Sequence, residues 1–100
     1  MRKIEQAMLR AVVGMQNWHA SNTSVSITPG SRSDHSTPLR GEVFLHGNHI
    51  ASMHYGTGKL IVNAATLARW PTPTTKSRLR ALGANVTTRK GVTYLDGVAV

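Results

Sequence analysis

The stretch RWPTPTTKSRLRALG, residues 69–83, predicts a helix whose two ends are both set by local sequence. Its prolines fix the backbone φ angle and exclude a central strand, and Pro73 is acceptable in the first turn of a helix. A threonine on either side of Pro73 can cap the helix, and Gly83 is the residue type expected just after its end. Leu79 and Leu82, three residues apart, would then face a core.

Towards the N-terminus, the sequence predicts one more helix and then a strand. Apolar residues recur at spacings of four, four and three near the start of the chain, which predicts an amphipathic helix that ends by Asn17. Val25 and Ile27 alternate with polar residues and predict a half-buried strand. The polar segment Gly30 to Arg40 lacks apolar periodicity, and we expect a mobile loop there.

The segment EVFLHGNHIASMH, residues 42–54, predicts a β-hairpin. A two-residue turn at Gly47-Asn48 would have glycine at the first central position, as a type II′ turn requires. That register pairs Leu45 with Ile50 and places both, with Val43, on the core face. The remaining side chains, Phe44, Ala51, His46 and His49, would share the opposite face.

The rest of the chain predicts a strand at residues 60–62, an ambiguous helical turn at 64–68, and a C-terminal hairpin. Arg89-Lys90-Gly91 forms the hairpin turn, and Asp96-Gly97 reverses the chain once more. We therefore predict an α+β fold in which two helices pack on an antiparallel sheet of about five to six strands, a meander plus the C-terminal hairpin. Residues 1–100 would form a single domain.

The composition favours an anionic partner. Twelve Lys and Arg against four Asp and Glu give a net charge of +8, and there is no cysteine, which excludes disulfides and cysteine-ligated zinc. No apolar run approaches the ~20 residues that a membrane-spanning helix needs. We expect no membrane association and no cofactor.

Half of the cations lie between positions 69 and 90, a segment without an acidic residue. Lys76 and Arg80 share a helical face, where like charges repel slightly, so stability alone does not explain them. Hydroxyls and amide N–H groups at a helix N-terminus suit phosphate, and Trp70 or Tyr94 could stack on a base. Taken alone, Trp70 is better interpreted as a core residue. The predicted nucleic-acid contacts are Arg69, Lys76, Arg78, Arg80, Arg89, Lys90, Thr74 and Thr75.

Catalysis is not indicated. His46 and His49 flank a tight turn, and with His35, Asp34 or Glu42 they could in principle hold a metal, but the spacing matches no zinc motif. The four acids are scattered, and neither a phosphate-binding glycine loop nor a nucleophile elbow is present. We predict no metal site and no enzymatic activity.

Three segments together, KIEQAMLRAV…NWHASNTSV, VFLHGNHIA and WPTPTTKSRLRALG, resemble small accessory proteins of short-tailed lytic bacteriophages. The resemblance spans most of the chain and implies a viral protein in the host bacterial cytoplasm that acts on host or phage machinery. It supplies no catalytic residues. The order of elements is also similar to that of the double-stranded-RNA-binding domain, but the final hairpin has no counterpart there and the second helix is shorter.

Two functions follow as expectations. The first is non-catalytic nucleic-acid binding, mainly through phosphate contacts and with DNA favoured over RNA. The second is a protein-directed inhibitor or modulator that occupies an acidic surface of a host nucleic-acid-processing or defence complex, with Trp70 or Tyr94 as an anchor. Free sheet edges would also permit a homodimer.

Overall fold

The structure is a computed structural model that describes residues 2–28 and 40–100. The predicted mobile loop lies outside these residues, except that Arg40 begins a strand. In chain order the described elements are α1 (Lys3–Val13), β1 (Trp18–Ala20), β2 (Thr23–Thr28), β3 (Arg40–Leu45), β4 (Asn48–His54), β5 (Lys59–Val62), α2 (Ala64–Arg69), α3 (Pro73–Ala81), β6 (Val86–Arg89), β7 (Val92–Leu95) and β8 (Val98–Ala99).

The strands form two antiparallel sheets. Strands β1 to β5 form a five-stranded meander in sequence order, and β6 to β8 form a separate three-stranded sheet. The predicted α+β class and the meander are confirmed, although the C-terminal hairpin forms its own sheet and α2 is a third helix. Strands β1 and β5 are the edges of the larger sheet, so a homodimer paired through an edge strand stays a prediction. In the described ranges no helix is long and apolar enough to cross a membrane.

Strand β1 was missed in the sequence because it is only three residues long and ends in a turn without glycine. Trp18 pairs with Val25 across a tight turn, in which Ser21 adopts a positive φ of 54°. Short polar residues reach this left-handed conformation at modest cost, so the turn carries no strong sequence signal.

The register predicted for the central hairpin is wrong, because the turn begins one residue earlier than predicted. The turn residues are His46 and Gly47, with φ angles of 52° and 79°, the pair of positive values that a type I′ turn requires. Leu45 therefore pairs with Asn48, and Ile50 is an additional residue at a β-bulge. The bulge interrupts the alternation of faces, so that Ile50 and the next residue, Ala51, are both buried.

The core forms between the five-stranded sheet and the helices. As predicted, Val43, Leu45 and Ile50 are buried, and so are Leu79 of α3 and Leu82 directly after this helix. The other buried apolar residues are Met8, Ala11, Val12, Val25, Ala51, Leu67 and Val86. Each fully buried Val, Leu, Ile or Met side chain stabilises the fold by about 1.5–3 kcal/mol relative to an exposed one.

Tyr55 ties α1 to the end of this sheet. Its hydroxyl donates a hydrogen bond to the carbonyl oxygen of Val12, in the last turn of α1, and burial raises the pKa of this phenol. Gly41 of β3 leaves room for the ring, since a Cβ atom at that position would lie 2.5 Å from the tyrosine oxygen. The glycine is therefore required by packing.

A buried ion pair joins α1 to α3. Arg78 Nη1 donates to Glu5 Oε2 at 2.8 Å, and Arg78 Nε donates to Thr23 Oγ1 of β2 at 3.1 Å. Ser77 also donates to Glu5 Oε2, and the backbone N–H of Arg2 donates to Glu5 Oε1. Burial alone would raise the pKa of the Glu5 carboxyl, but the hydrogen bonds from Ser77, Arg78 and Arg2 and the charge of Arg78 outweigh it, so the pKa is lowered.

Replacing Glu5 with Gln should strongly destabilise the domain at neutral pH. The amide keeps the shape of the side chain but leaves the Arg78 guanidinium buried without a counter-charge, a change that typically costs about 3–5 kcal/mol. Chemical denaturation measures the free energy of unfolding. Glu42→Gln is the matched control, because its more exposed pair with Arg40 is 4.0 Å apart and should contribute less than about 1 kcal/mol. Equal losses in the two variants would contradict the assignment.

The stabilisation from Glu5 should also depend on pH. Because its pKa is lower in the folded chain than the ordinary value of 4.5, its contribution is complete above about pH 4.5 and is lost as pH falls through the folded-state pKa. The difference in unfolding free energy between wild type and Glu5→Gln should therefore narrow on acidification below pH 4.5. Any pH dependence that the two proteins share cancels in this difference. Parallel profiles down to pH 3 would show that Glu5 titrates normally.

Candidate nucleic-acid interface

Lys76 and Arg80 of α3 attach this helix to the small sheet. Lys76 Nζ donates to Thr88 Oγ1 at 2.7 Å, and Arg80 Nε donates to the carbonyl oxygen of Val86 at 2.8 Å. Both acceptors belong to β6, which is an edge strand of its sheet. The two cations therefore lie along the edge of β6.

Arg89 and Lys90 follow directly at the end of the same strand. Lys90 and Gly91 form the turn between β6 and β7, with φ angles of 49° and 79°, so the predicted turn is confirmed. Both cationic side chains are exposed. Arg89 follows Thr88, the residue that Lys76 contacts, so the cations of the helix and of the hairpin lie near the same end of β6, although the Arg89 side chain points to the face of the small sheet opposite Thr88. We call Lys76, Arg80, Arg89 and Lys90 the basic surface.

The basic surface is not neutralised by carboxylates within the described ranges. There, the only ion pairs within 4.0 Å are Arg78–Glu5 and Arg40–Glu42. The positive charges of the basic surface together create a positive potential that attracts anions.

Arg78 was predicted to contact phosphate, and this prediction is wrong. Arg78 is 3% exposed, and its side chain donates hydrogen bonds to Glu5 and Thr23 inside the protein. On a helix each residue turns by about 100°, so Arg78 lies on the opposite side from Lys76 and Arg80, two positions away on either side. The core needs this cation as the partner of a buried carboxylate.

The threonines at the start of α3 mainly cap the helix. Thr72 Oγ1 accepts the backbone N–H of Thr75 at 3.1 Å, and the carbonyl oxygen of Thr72 accepts the N–H of Lys76. Thr75 is buried, and its hydroxyl is bonded to that of Thr72, so the prediction that it contacts phosphate is wrong. Thr74 is half-buried and lines a cavity. Because Pro73 has no N–H, little of the expected phosphate site remains.

Trp70 is on the surface. The interpretation of this residue as part of the core is wrong, since 41% of it is exposed. The guanidinium of Arg69 lies over its indole ring, 5.2 Å from the ring centroid, which is a cation–π arrangement. Trp70 also borders a cavity of about 400 Å³.

Tyr94, the second predicted stacking residue, lies elsewhere. It pairs with Thr87 and shares a face of the small sheet with Arg89, opposite the face on which Thr88 meets α3. Tyr94 is half-buried and, with Thr87, Arg89 and Gly97, lines a second cavity of about 240 Å³. The structure brings Tyr94 together with Arg89 and Trp70 with Arg69.

His49 has a structural role. The oxygen of the Asn63 side chain accepts the N–H of Thr66, so its amide nitrogen is the donor to His49 Nδ1 at 3.1 Å. His49 Nε2 lies 2.8 Å from Ser52 Oγ. In the described part of the chain no group of three or more His, Asp or Glu is placed to hold a metal. His35 and Asp34 lie outside it.

The sequence did not reveal the residues that form the cavity beside Trp70. Leu45, His46, Asn48 and Ile50 contribute from the β3–β4 hairpin, and Thr66 contributes from α2. They come together only because the hairpin turn reaches the link between α2 and α3. If the hairpin turn had been predicted at His46-Gly47, the sequence would have indicated that His46 and Asn48 lie at the same end of the sheet.

A family model described as Kyanoviridae Gp96 protein matches residues 1–99 of the chain. No curated protein and no solved structure matches it. The predicted phage origin is thus confirmed. The prediction of a short-tailed phage is wrong, because Kyanoviridae are cyanophages of the myovirus type. The chain belongs to the Kyanoviridae Gp96 protein family and is a phage protein.

Proposed function

We propose that the protein binds nucleic acid without catalysis, through contacts between the basic surface and backbone phosphates. The observation that carries this proposal is the pair of hydrogen bonds from Lys76 and Arg80 to β6, because they attach the helix cations to the strand that leads into the exposed cations of the hairpin tip. The net charge of +8 supports an anionic partner.

The side chains keep donors for a ligand despite their internal bonds. Arg80 uses Nε for the Val86 carbonyl oxygen, so its two terminal nitrogens can face a phosphate bidentately. Lys76 has three N–H donors and gives one to Thr88. Arg89 and Lys90 reach outward from the hairpin tip. These groups recognise phosphate and not base sequence.

Such binding is largely independent of sequence and weakens with salt, because each neutralised phosphate releases counterions. We propose DNA in preference to RNA as the partner, and the infected bacterial cytoplasm as the place of action of this phage protein. An acidic surface of a host nucleic-acid-processing or defence complex is the alternative partner, since its carboxylates would meet the same cations.

Removing two charges from the hairpin tip should flatten the salt dependence of binding. In the variant Arg89→Gln with Lys90→Asn, the asparagine tolerates the positive φ of the turn. Fluorescence anisotropy with a labelled mixed-sequence DNA measures affinity from low to high salt. The slope of log K against log salt should fall by about 1.8 on a duplex and about 1.4 on a single strand, two phosphates' worth.

The matched control removes two charges from the far end of the larger sheet. Arg40 and Lys59 flank His54 in one row across β3, β4 and β5, so Arg40→Gln with Lys59→Gln changes the net charge equally away from the hairpin. Equal effects in both double variants would refute a localised interface. Wild-type protein that binds no DNA at low salt would refute the proposal itself, and competition by polyglutamate as strong as by DNA would favour the acidic protein surface.

A further inference from the structure

Trp70 stands between two depressions of the surface. The larger, of about 400 Å³, has a floor of Leu45 and Ile50 and a wall that includes His46 and Asn48. The smaller, of about 250 Å³, is lined by Arg69 together with Asn63 and Ala65. Arg69 lines only the smaller one, and its guanidinium lies over the indole ring, 5.2 Å from the ring centroid.

The backbone of Trp70 is fixed between two helices, while the indole ring stays on the surface. The N–H of Trp70 ends α2 by donating to the carbonyl oxygen of Thr66 at 2.9 Å. Pro71 follows, and Thr72 already caps α3, so only a short, stiff link separates the two helices. A large aromatic side chain that is 41% exposed contributes little to the core, so its surface is available to a ligand.

The larger cavity has the chemistry that a nucleobase requires. A base presents an apolar π face that stacks on indole and a polar edge that needs hydrogen-bonding groups. Trp70 and the apolar floor suit the face, and the imidazole of His46 and the amide of Asn48 suit the edge. The volume falls at the lower end of the ~300–1,000 Å³ typical of ligand pockets, which fits one flat group.

The cavity is also close to the basic surface. Thr72 lines the cavity, and Lys76 follows four residues later, about 6 Å further along the axis of α3. A nucleic-acid strand along this helix could therefore place a base beside Trp70 and a neighbouring phosphate at Lys76. The bases of a duplex are stacked on each other and cannot enter unless they are flipped out, which costs energy.

We propose that the cavity beside Trp70 receives one unstacked base, so that the protein prefers single-stranded nucleic acid to a duplex. This inference rests on the proposed function and specifies its substrate class. The basic surface supplies the phosphate contacts common to both forms, and the cavity supplies the contact that only a single strand can make.

The test compares Trp70→Ala with Trp70→Phe, which keeps an aromatic face. Anisotropy titrations use one labelled single-stranded DNA and its duplex at the same salt concentration. Trp70→Ala should lose about tenfold or more in single-strand affinity, as expected for one lost stacked base, and should change little on the duplex. Trp70→Phe should recover most of the loss, and the salt slope should stay that of the wild type because the phosphate contacts remain.

A spectroscopic measurement gives an independent readout. Trp18 packs against the core, so Trp18→Phe leaves Trp70 as the only tryptophan. Its fluorescence should be quenched by single-stranded DNA but not by the duplex. Equal affinity for the two DNA forms, or unquenched fluorescence at saturation, would overturn the inference while the proposed function stands. Absence of binding to either DNA would overturn both.

Discussion

The buried pair of Glu5 and Arg78 is the constraint on which the arrangement of the helices depends. Moving two charges out of water costs several kcal/mol per ion, and only close pairing with additional hydrogen bonds offsets that cost. Here α1 provides the carboxylate, α3 provides the guanidinium and a hydroxyl, and Thr23 of β2 accepts the Nε–H of the guanidinium. A shift of α1 relative to α3 that separated this pair would leave a charge buried and uncompensated, so the pair disfavours other packings of these two helices.

The same pair sets the orientation of the basic surface. Because Arg78 points into the core, the helical period of about 100° per residue turns Lys76 and Arg80 to the other side of α3, where β6 accepts their hydrogen bonds. The edge of β6 is thereby covered by cations, which also blocks pairing with another strand. The inward position of Arg78 thus places Lys76 and Arg80 on the outer side of α3. These two side chains attach the small sheet to the helix and still have N–H donors for an anion.

What the sequence predicts correctly has local causes. The Thr72 cap, the Pro73 start and the Lys90-Gly91 turn each depend on residues within a few positions, and the structure has all three. The hairpin register failed because Gly47 is compatible with either of two turns, and only the positive φ of His46 distinguishes them. The role of Arg78 could not be predicted, because its partner Glu5 lies 73 positions away and nothing in the local sequence distinguishes a buried arginine from an exposed one. The exposure of Trp70 and the cavity beside it depend on where a distant hairpin turn comes to lie.

That separation along the chain also bears on how the protein is made. At ~5–20 residues per second on the ribosome, Arg78 is added about 4–15 s after Glu5, and it emerges later still. Until then α1 carries a carboxylate without its counter-charge, so the nascent N-terminal two thirds can collapse but cannot adopt its final packing. The two helices can therefore adopt their final packing only after α3 has emerged from the ribosome.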